Sequence, residues 1–326
     1  MRAPESDAVR RHAGADLTDA STDAASIELT AVLVAVTDEE PRVLTVQDGA
    51  ALPSGPFESR HRTLQLGLSS WVRRQTRHSL GYIEQLYTFA DRDRARGGAD
   101  GRVISISYLG LTREAAAAGG RGSGWRSWYR YFPWEDWRAG PSPLIGEAIV
   151  PRLRTWAADA PDRATRRQRA ERIAVNFGSG DTGWNEDLVL QRYELLYEAR
   201  LVAEAGRRRK AAEAVPGTPM ILDHRRILAT GIARLRAKIK YRPVVFELMG
   251  PSFTLFELQR AVEALAGRRL HKQNFRRLID QQGLVEETGA VSTETGGRPA
   301  KLYRFRREVE LERAVAGTKL PLYRSG

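Results

Sequence analysis

The chain has 326 residues, 42% of them apolar, and carries 52 Lys/Arg against 40 Asp/Glu, a net charge of +12. It contains no cysteine, which excludes disulfides, thiol nucleophiles and cysteine-ligated metals, and no apolar run approaches the ~18 residues of a membrane span. The positive excess is uneven: Leu222 to Gly326 holds 21 Lys/Arg against 11 Asp/Glu, and the rest of the chain holds 31 against 29. A basic C-terminal third joined to a near-neutral body suggests two parts with different partners, nucleic acid being the default for the basic one.

Residues 1–25 hold Asp7, Asp16, Asp19 and Asp23 and no apolar core. They read as a disordered tail, neither signal nor transit peptide, so a cytoplasmic protein is expected. "SIELTAVLVAVTDEEPRVLTVQD" from Ser26 reads as two strands around the turn "DEEP". From Thr63 the apolar residues Leu64, Leu68, Trp71 and Val72 recur at helical spacing, with Arg73, Arg74 and Arg77 on other faces. No Asp or Glu occurs from Ser59 to Ile83. "YIEQLYTFA" and "RVISISYLGL" alternate and read as strands joined by the loop "DRDRARGGADG". "GWRSWYRYFPWEDWR" is dense in aromatics expected in a core or interface, and Pro133 suits the first turn of a short helix. "SPLIGEAIVPRLRTWA" reads as a helix interrupted near Pro151. The order predicts a compact α+β domain over residues 26–157.

Residues 158–220 are expected to begin with a polar, weakly structured linker, "ADAPDRATRRQRAER", and to continue as one amphipathic helix over 185–206, with Leu188, Tyr193, Leu196 and Leu201 near one stripe. The final domain, 221–326, opens with a helix capped by Asp223 and running to about Lys240, burying Ile227, Leu228, Ile232, Leu235 and Ile239. Thr254 and Glu257 have the spacing of a capping box. The helix "TLFELQRAVEALAG" stops at Gly267, and "HKQNFRRLIDQQG" follows with Phe275, Leu278 and Ile279 on its apolar side. "LVEETGAVSTETGGRPAKLYRFR" reads as a hairpin with a basic return strand.

Helix, short turn, basic helix and hairpin make the pattern of a winged helix-turn-helix. In the major groove Arg reads guanine, and Asn or Gln reads adenine. Residues 271–282 offer Lys272, Gln273, Asn274, Arg276 and Arg277 for that purpose. Thr254, Arg298 and Lys301 are expected at phosphates or in the minor groove. The expected partner is double-stranded operator DNA, bound by a homodimer on a near-palindromic site.

"KIKYRPVVFELMGPSFTLFELQRAVEALAGRRLHKQNFRRLIDQQGLVEETG" with "GGRPAKLYRF" resembles the C-terminal domain of Nudix-related transcriptional regulators of NAD metabolism, and "GYIEQLYTFADRDR" with "RVISISYLGL" resembles the core of their Nudix-like domain. The resemblance implies a Nudix-like α/β/α sandwich followed by a winged helix, and a repressor of genes for NAD synthesis or salvage. It implies an effector containing adenine, such as ADP-ribose, NAD or ATP, and no required cofactor. In Nudix hydrolases a helix carries glutamates that hold magnesium; here Ser70 to Gln75 occupy that stretch, so Trp71, Arg74 and Gln75 stand where the metal acids belong. Neither catalytic residues nor metal ligands are therefore expected. Arg73, Arg74 or Arg77 then pairs with effector phosphate directly, while Tyr87, Phe89 or Tyr131 stacks on adenine, with Asp91 as a further effector contact. Two alternatives stand beside this one: a divergent hydrolase of nucleoside diphosphate derivatives, and an RNA-binding or scaffold protein using its basic domain nonspecifically.

Overall fold

In a computed structural model, residues 26–81, 83–90, 103–114, 120, 122–178, 183–206, 214–240, 242–293 and 299–306 are described. Strand β1 (Ser26–Thr37) is the spine of the N-terminal half. Its Leu29, Ala31, Leu33, Val32 and Val34 are all at most 2% exposed, because both faces of the sheet are covered, and a strand covered on both faces reads as a continuous apolar run. β1 turns back at Asp38–Glu39 into β2 (Glu40–Thr45). It also pairs with the short β3 (Ser54–Pro56) and, in parallel, with β5 (Val103–Leu111), which β4 (Ile83–Phe89) flanks. β6 (Gly124–Ser127) closes the other edge, giving the order β4-β5-β1-β2-β6 with β3 beside β1.

Helix α1 (Leu64–Thr76) covers one face. Thr63 caps it, its hydroxyl accepting the Leu66 N–H. Leu68 and Val72 pack there with Leu29, Leu33 and Tyr108. The other face meets α5 (His224–Ile239), whose Ile227, Leu228, Ile232 and Leu235 are buried as the spacing predicts. Gly231 lets α5 approach closely: a Cβ there would lie 2.9 Å from Val32 Cγ1. The boundary expected near residue 221 assigns α5 to the DNA-binding unit, yet this helix is the second layer of the α/β/α sandwich. Val32 and the winged-helix residue Phe275 belong to one continuous core cluster.

The segment 158–220 departs from expectation. Helix α2 (Val150–Ala158) has Pro151 in its first turn, and helix α3 (Arg163–Phe177) occupies what read as a weakly structured linker. Asp162 caps α3 by accepting the Thr165 N–H at 2.8 Å, and Gly178 ends it with left-handed φ. Only Ile173, Asn176 and Phe177 are buried in it, so the apolar stripe is too thin to stand out in the sequence. Helix α4 is Val189–Glu198, shorter than the expected 185–206 because the chain turns left-handed at Arg200.

The C-terminal unit has α6 (Leu255–Ala266), α7 (Lys272–Gln282) and a hairpin of β7 (Val285–Ser292) and β8 (Ala300–Phe305). The capping box forms as read: Thr254 Oγ1 accepts the Glu257 N–H, and Glu257 accepts the Thr254 N–H. Gly267 and Gly283 end the helices with left-handed φ. Phe253 bridges to Tyr303 as a third strand position, and Phe246 stacks on Phe305 at 4.3 Å. Among the described residues, no helix is long and apolar enough to cross a membrane.

Candidate functional site

Helix α7 presents one basic, polar face. Phe275 and Ile279 anchor it, at 7% exposure each, and Lys272, Gln273, Asn274, Arg276 and Arg277 are all exposed. Leu278 was expected with the buried pair but is 50% exposed. The turn that leads from α6 into α7 is held by Glu263 of α6, which is 1% exposed and collects four donors: Gln259 Nε2 at 2.8 Å, the Leu270 N–H at 2.9 Å, and Arg260 and Arg269 Nη1 at 2.8 Å each. Burial alone raises the pKa of such a carboxyl; the Leu270 N–H, Arg269, Gln259 and Arg260 outweigh it and hold Glu263 below the usual carboxylate range. Nothing in the helical pattern singles Glu263 out; the signal was a carboxylate flanked by Arg260 and Arg269.

Two other expected DNA contacts fare differently. Thr254 is 2% exposed and both its hydroxyl and its N–H are spent on the capping box, so it is a structural cap rather than a phosphate ligand. Lys301 is on the wing but pairs across the strands with Glu287 at 2.8 Å, and Arg304 pairs with Glu286. These exposed pairs are weak, yet they lower the wing's net charge. Arg298 lies outside the described residues.

The N-terminal half grips the helix-turn-helix directly. Three carbonyls at the end of α6, which the helix itself cannot satisfy, accept from residues outside the C-terminal unit. Tyr129 Oη donates to Ala264 O at 2.7 Å, Arg236 Nε to Leu265 O at 2.9 Å, and the Trp137 N–H to Gly267 O at 2.7 Å. Behind them Glu135 binds both Arg192 and Arg236, with all three side chains at most 1% exposed. Glu39, at the β1–β2 turn, reaches Arg260 and Arg269 at 3.4 Å each. The aromatic segment thus joins sheet, α4, α5 and α6, as Trp128 and Trp134, both fully buried, already suggested.

On α1 the positions of the missing acids have structural occupants. The Trp71 indole N–H donates to Pro56 O at 2.9 Å, and its ring lies where a Cβ on Gly55 would be 2.4 Å away. Gln75 accepts the Ser54 N–H at 3.1 Å and donates to Ser54 O at 2.8 Å. Arg74 stacks over Trp71 at 4.7 Å. Trp71 and Gln75 therefore clamp α1 to β3, and Arg74 covers the indole. A magnesium ion does not fit this donor set: an indole, a guanidinium and an amide already spent on the backbone offer no hard anionic oxygen.

Arg73, Arg74 and Arg77 are exposed at the end of α1. The expected aromatic partners are not with them. A bulge between Gln85 and Tyr87 sets Tyr87 and Phe89 opposite Ser107 and Ser105, on the face that α5 covers. Phe89 is 4% exposed and lies beneath Arg226 of α5, so its ring is core. Tyr87 is open to solvent but sits 4.7 Å from Phe89, across the sheet from the arginines. Tyr131 is fully buried, with its hydroxyl donating to Gly49 O at 2.8 Å, and cannot stack on a ligand. Asp91 lies outside the described residues. Trp125 shares the α1 face with the buried Tyr108 and with Phe57, and packs edge-on against His78 at 5.9 Å. Burial lowers the His78 pKa, and its Nε2 lies 3.2 Å from Thr112 Oγ1.

Residues 245–305 match the family model of the NrtR DNA-binding winged helix domain. Over 86 residues, 26% of the chain, it is 44% identical to the ADPR responsive transcriptional repressor NtrR of Acinetobacter baylyi; the alignment spans 34% of that relative's length. The fold as a whole resembles that of Shewanella oneidensis NrtR in complex with a 27mer DNA, with a TM-score of 0.53 and 22% identity over 87% of this chain and 94% of that one. It also resembles a MutT/nudix family protein from Enterococcus faecalis, with a TM-score of 0.51 and 18% identity over 86% of each chain. The architecture is a Nudix-like sandwich followed by a winged helix.

Proposed function

We propose that this chain is a DNA-binding transcriptional regulator, a repressor, whose Nudix-like half senses an adenine nucleotide and does not hydrolyse it. The observation that carries the reading is α7: five exposed side chains suited to bases or phosphates on a helix anchored by Phe275 and Ile279, after a turn held by the buried Glu263. Arg276 and Arg277 contact base edges or phosphates, and Lys272, Gln273 and Asn274 complete the face. The name of the Acinetobacter relative supports ADP-ribose as the effector. The clamp formed by Trp71 and Gln75 supports binding without cleavage, because a metal has no acid to hold it there. Phosphate then falls to the exposed Arg73, Arg74 or Arg77, and Trp125 replaces the buried tyrosine as an aromatic on that side. Genes of NAD synthesis or salvage are the targets the family resemblance implies, and a homodimer on a near-palindromic site fits a single recognition helix per chain.

Selection from a random duplex library tests this. One palindromic sequence should be enriched, its binding should fall steeply with salt, and ADP-ribose should change the affinity. An unenriched library, or equal affinity for selected and scrambled duplexes, overturns the regulator reading. Steady release of AMP from ADP-ribose with Mg²⁺ overturns the non-hydrolytic part.

A further inference from the structure

Beneath α7, on the side away from its exposed basic face, lies a cavity of about 270 Å³. Its walls are the end of α5, the turn at 244–248, and the facing sides of α6 and α7. Phe246, Leu258, Val262, Phe275, Leu278 and Ile279 line it. Protein interiors are packed as densely as organic crystals, with few voids larger than a water molecule, and an apolar cavity of about 150 Å³ already takes up benzene. The exposure of Leu278, which sequence periodicity assigned to the core, has the same origin: its side chain borders the cavity rather than a packed neighbour.

The mouth has a charge preference. Lys240, Arg242 and Arg268 stand around it with Glu186. Glu186 is engaged by Lys240 at 3.0 Å and by Arg268 at 3.6 Å, and Asp187 takes Lys240 at 2.8 Å. Arg236, the deepest cation, is neutralised by Glu135. Arg242 is exposed and makes no ion pair among the described residues. The surplus is positive, and a guanidinium at the mouth of an apolar cavity can hold a carboxylate by two parallel hydrogen bonds.

We propose that this cavity is a binding site for a small apolar organic anion, one or two rings or a short acyl chain bearing a single carboxylate. The site is separate from the α1 arginines. Its consequence for DNA rests on the function proposed above: α7 forms one wall, so a ligand that prefers one placement of that helix shifts operator affinity.

Isothermal titration calorimetry of the full chain with 2-naphthoate tests the site without DNA. Saturable binding at one site per chain is expected, weakened at least tenfold in Val262→Phe and in Ala266→Leu, which fill the cavity from α6. Circular dichroism and thermal unfolding identify which of the two variants folds, and either one suffices. Arg242→Gln should weaken 2-naphthoate at least fivefold and leave the neutral 2-naphthalenemethanol unchanged. Absence of saturable binding in the parent protein, or unchanged binding in a folded, filled variant, overturns the proposal. Binding of 2-naphthoate by a protein that ignores every duplex leaves this site standing and removes the regulator reading alone.

Discussion

Arg236 Nη1 lies 2.8 Å from Glu135 Oε2, and the pair joins the second helical layer of the sandwich to the aromatic segment that holds the helix-turn-helix. Arg192 Nε holds the other oxygen at 2.6 Å. The guanidiniums spend further donors on the carbonyls of Asn176, Asn185, Glu186 and Leu265, among others. One carboxylate thus serves two buried cations, each of which places four of its five N–H donors on protein oxygens.

Removing that carboxylate is expected to be far costlier than removing a surface acid. Glu135→Gln leaves two buried arginines without a counter-charge, a change worth about 3–5 kcal/mol. Urea denaturation at neutral pH measures it; a loss below about 1 kcal/mol contradicts the assignment of Glu135 as the shared partner.

The recognition helix makes a contrasting prediction. Arg276→Ala and Arg277→Ala should each weaken operator binding about 10- to 100-fold, in line with ~1–3 kcal/mol per base contact, and leave thermal stability unchanged, since neither side chain is buried. Lys301→Ala should cost less, because Lys301 must first leave Glu287. Anisotropy titrations rank the three; retained affinity in both arginine variants removes α7 from the interface.

His224 gives the pH dependence. It is buried on α5, its Nδ1 accepts the Leu52 N–H at 2.8 Å, and burial lowers its pKa from 6.5 to about 4. Above pH 6.5 the imidazole is neutral in both states and adds no slope. As pH falls from 6.5 towards 4, the unfolded chain takes up a proton that the folded chain refuses, so stability falls, by about 3 kcal/mol over the full window. His224→Asn keeps an acceptor near the Leu52 N–H and should remove that part of the slope in denaturant titrations at pH 7.5, 6 and 5.

Restoring an acid on α1 should not restore a metal site. Gln75→Glu still accepts from the Ser54 N–H but faces Ser54 O without a donor. A loss of about 1–3 kcal/mol is expected from the unsatisfied group, together with no AMP from ADP-ribose and Mg²⁺. Turnover by this single variant would show that the clamp yields to metal.

The sequence showed the winged helix plainly, since the capping box, the stop glycines and the apolar anchors Phe275 and Ile279 are all local signals. It also showed β1, β2, β4 and β5 of the sandwich and the absence of acids on α1, but neither the three-residue β3 nor β6. Three things escaped it for physical reasons. α3 hides because only one edge of it is buried. The sidedness of Tyr87 and Phe89 depends on a bulge after Gln85, and a one-residue slip moves every following side chain to the other face. The Glu135–Arg192–Arg236 cluster brings together residues 57 and 101 positions apart, a separation no periodicity reports. Tyr131 was misplaced for a related reason: a tyrosine with a buried carbonyl partner looks, in sequence, like one that faces a ligand.

The closure of α6 by Tyr129, Trp137 and Arg236 bears on how this winged helix can be inherited or transplanted. The segment that matches the winged-helix family begins at residue 245, downstream of all three donors. Cut there and moved to another protein, it would carry the helices and the wing but leave the carbonyls of Ala264, Leu265 and Gly267 to water at the hinge of its recognition helix. The portable unit is larger than the homologous one: it takes in α5 and the tryptophan-rich loop, and a chimera that omits them inherits the exposed face of α7 without the donors that close the helix before it.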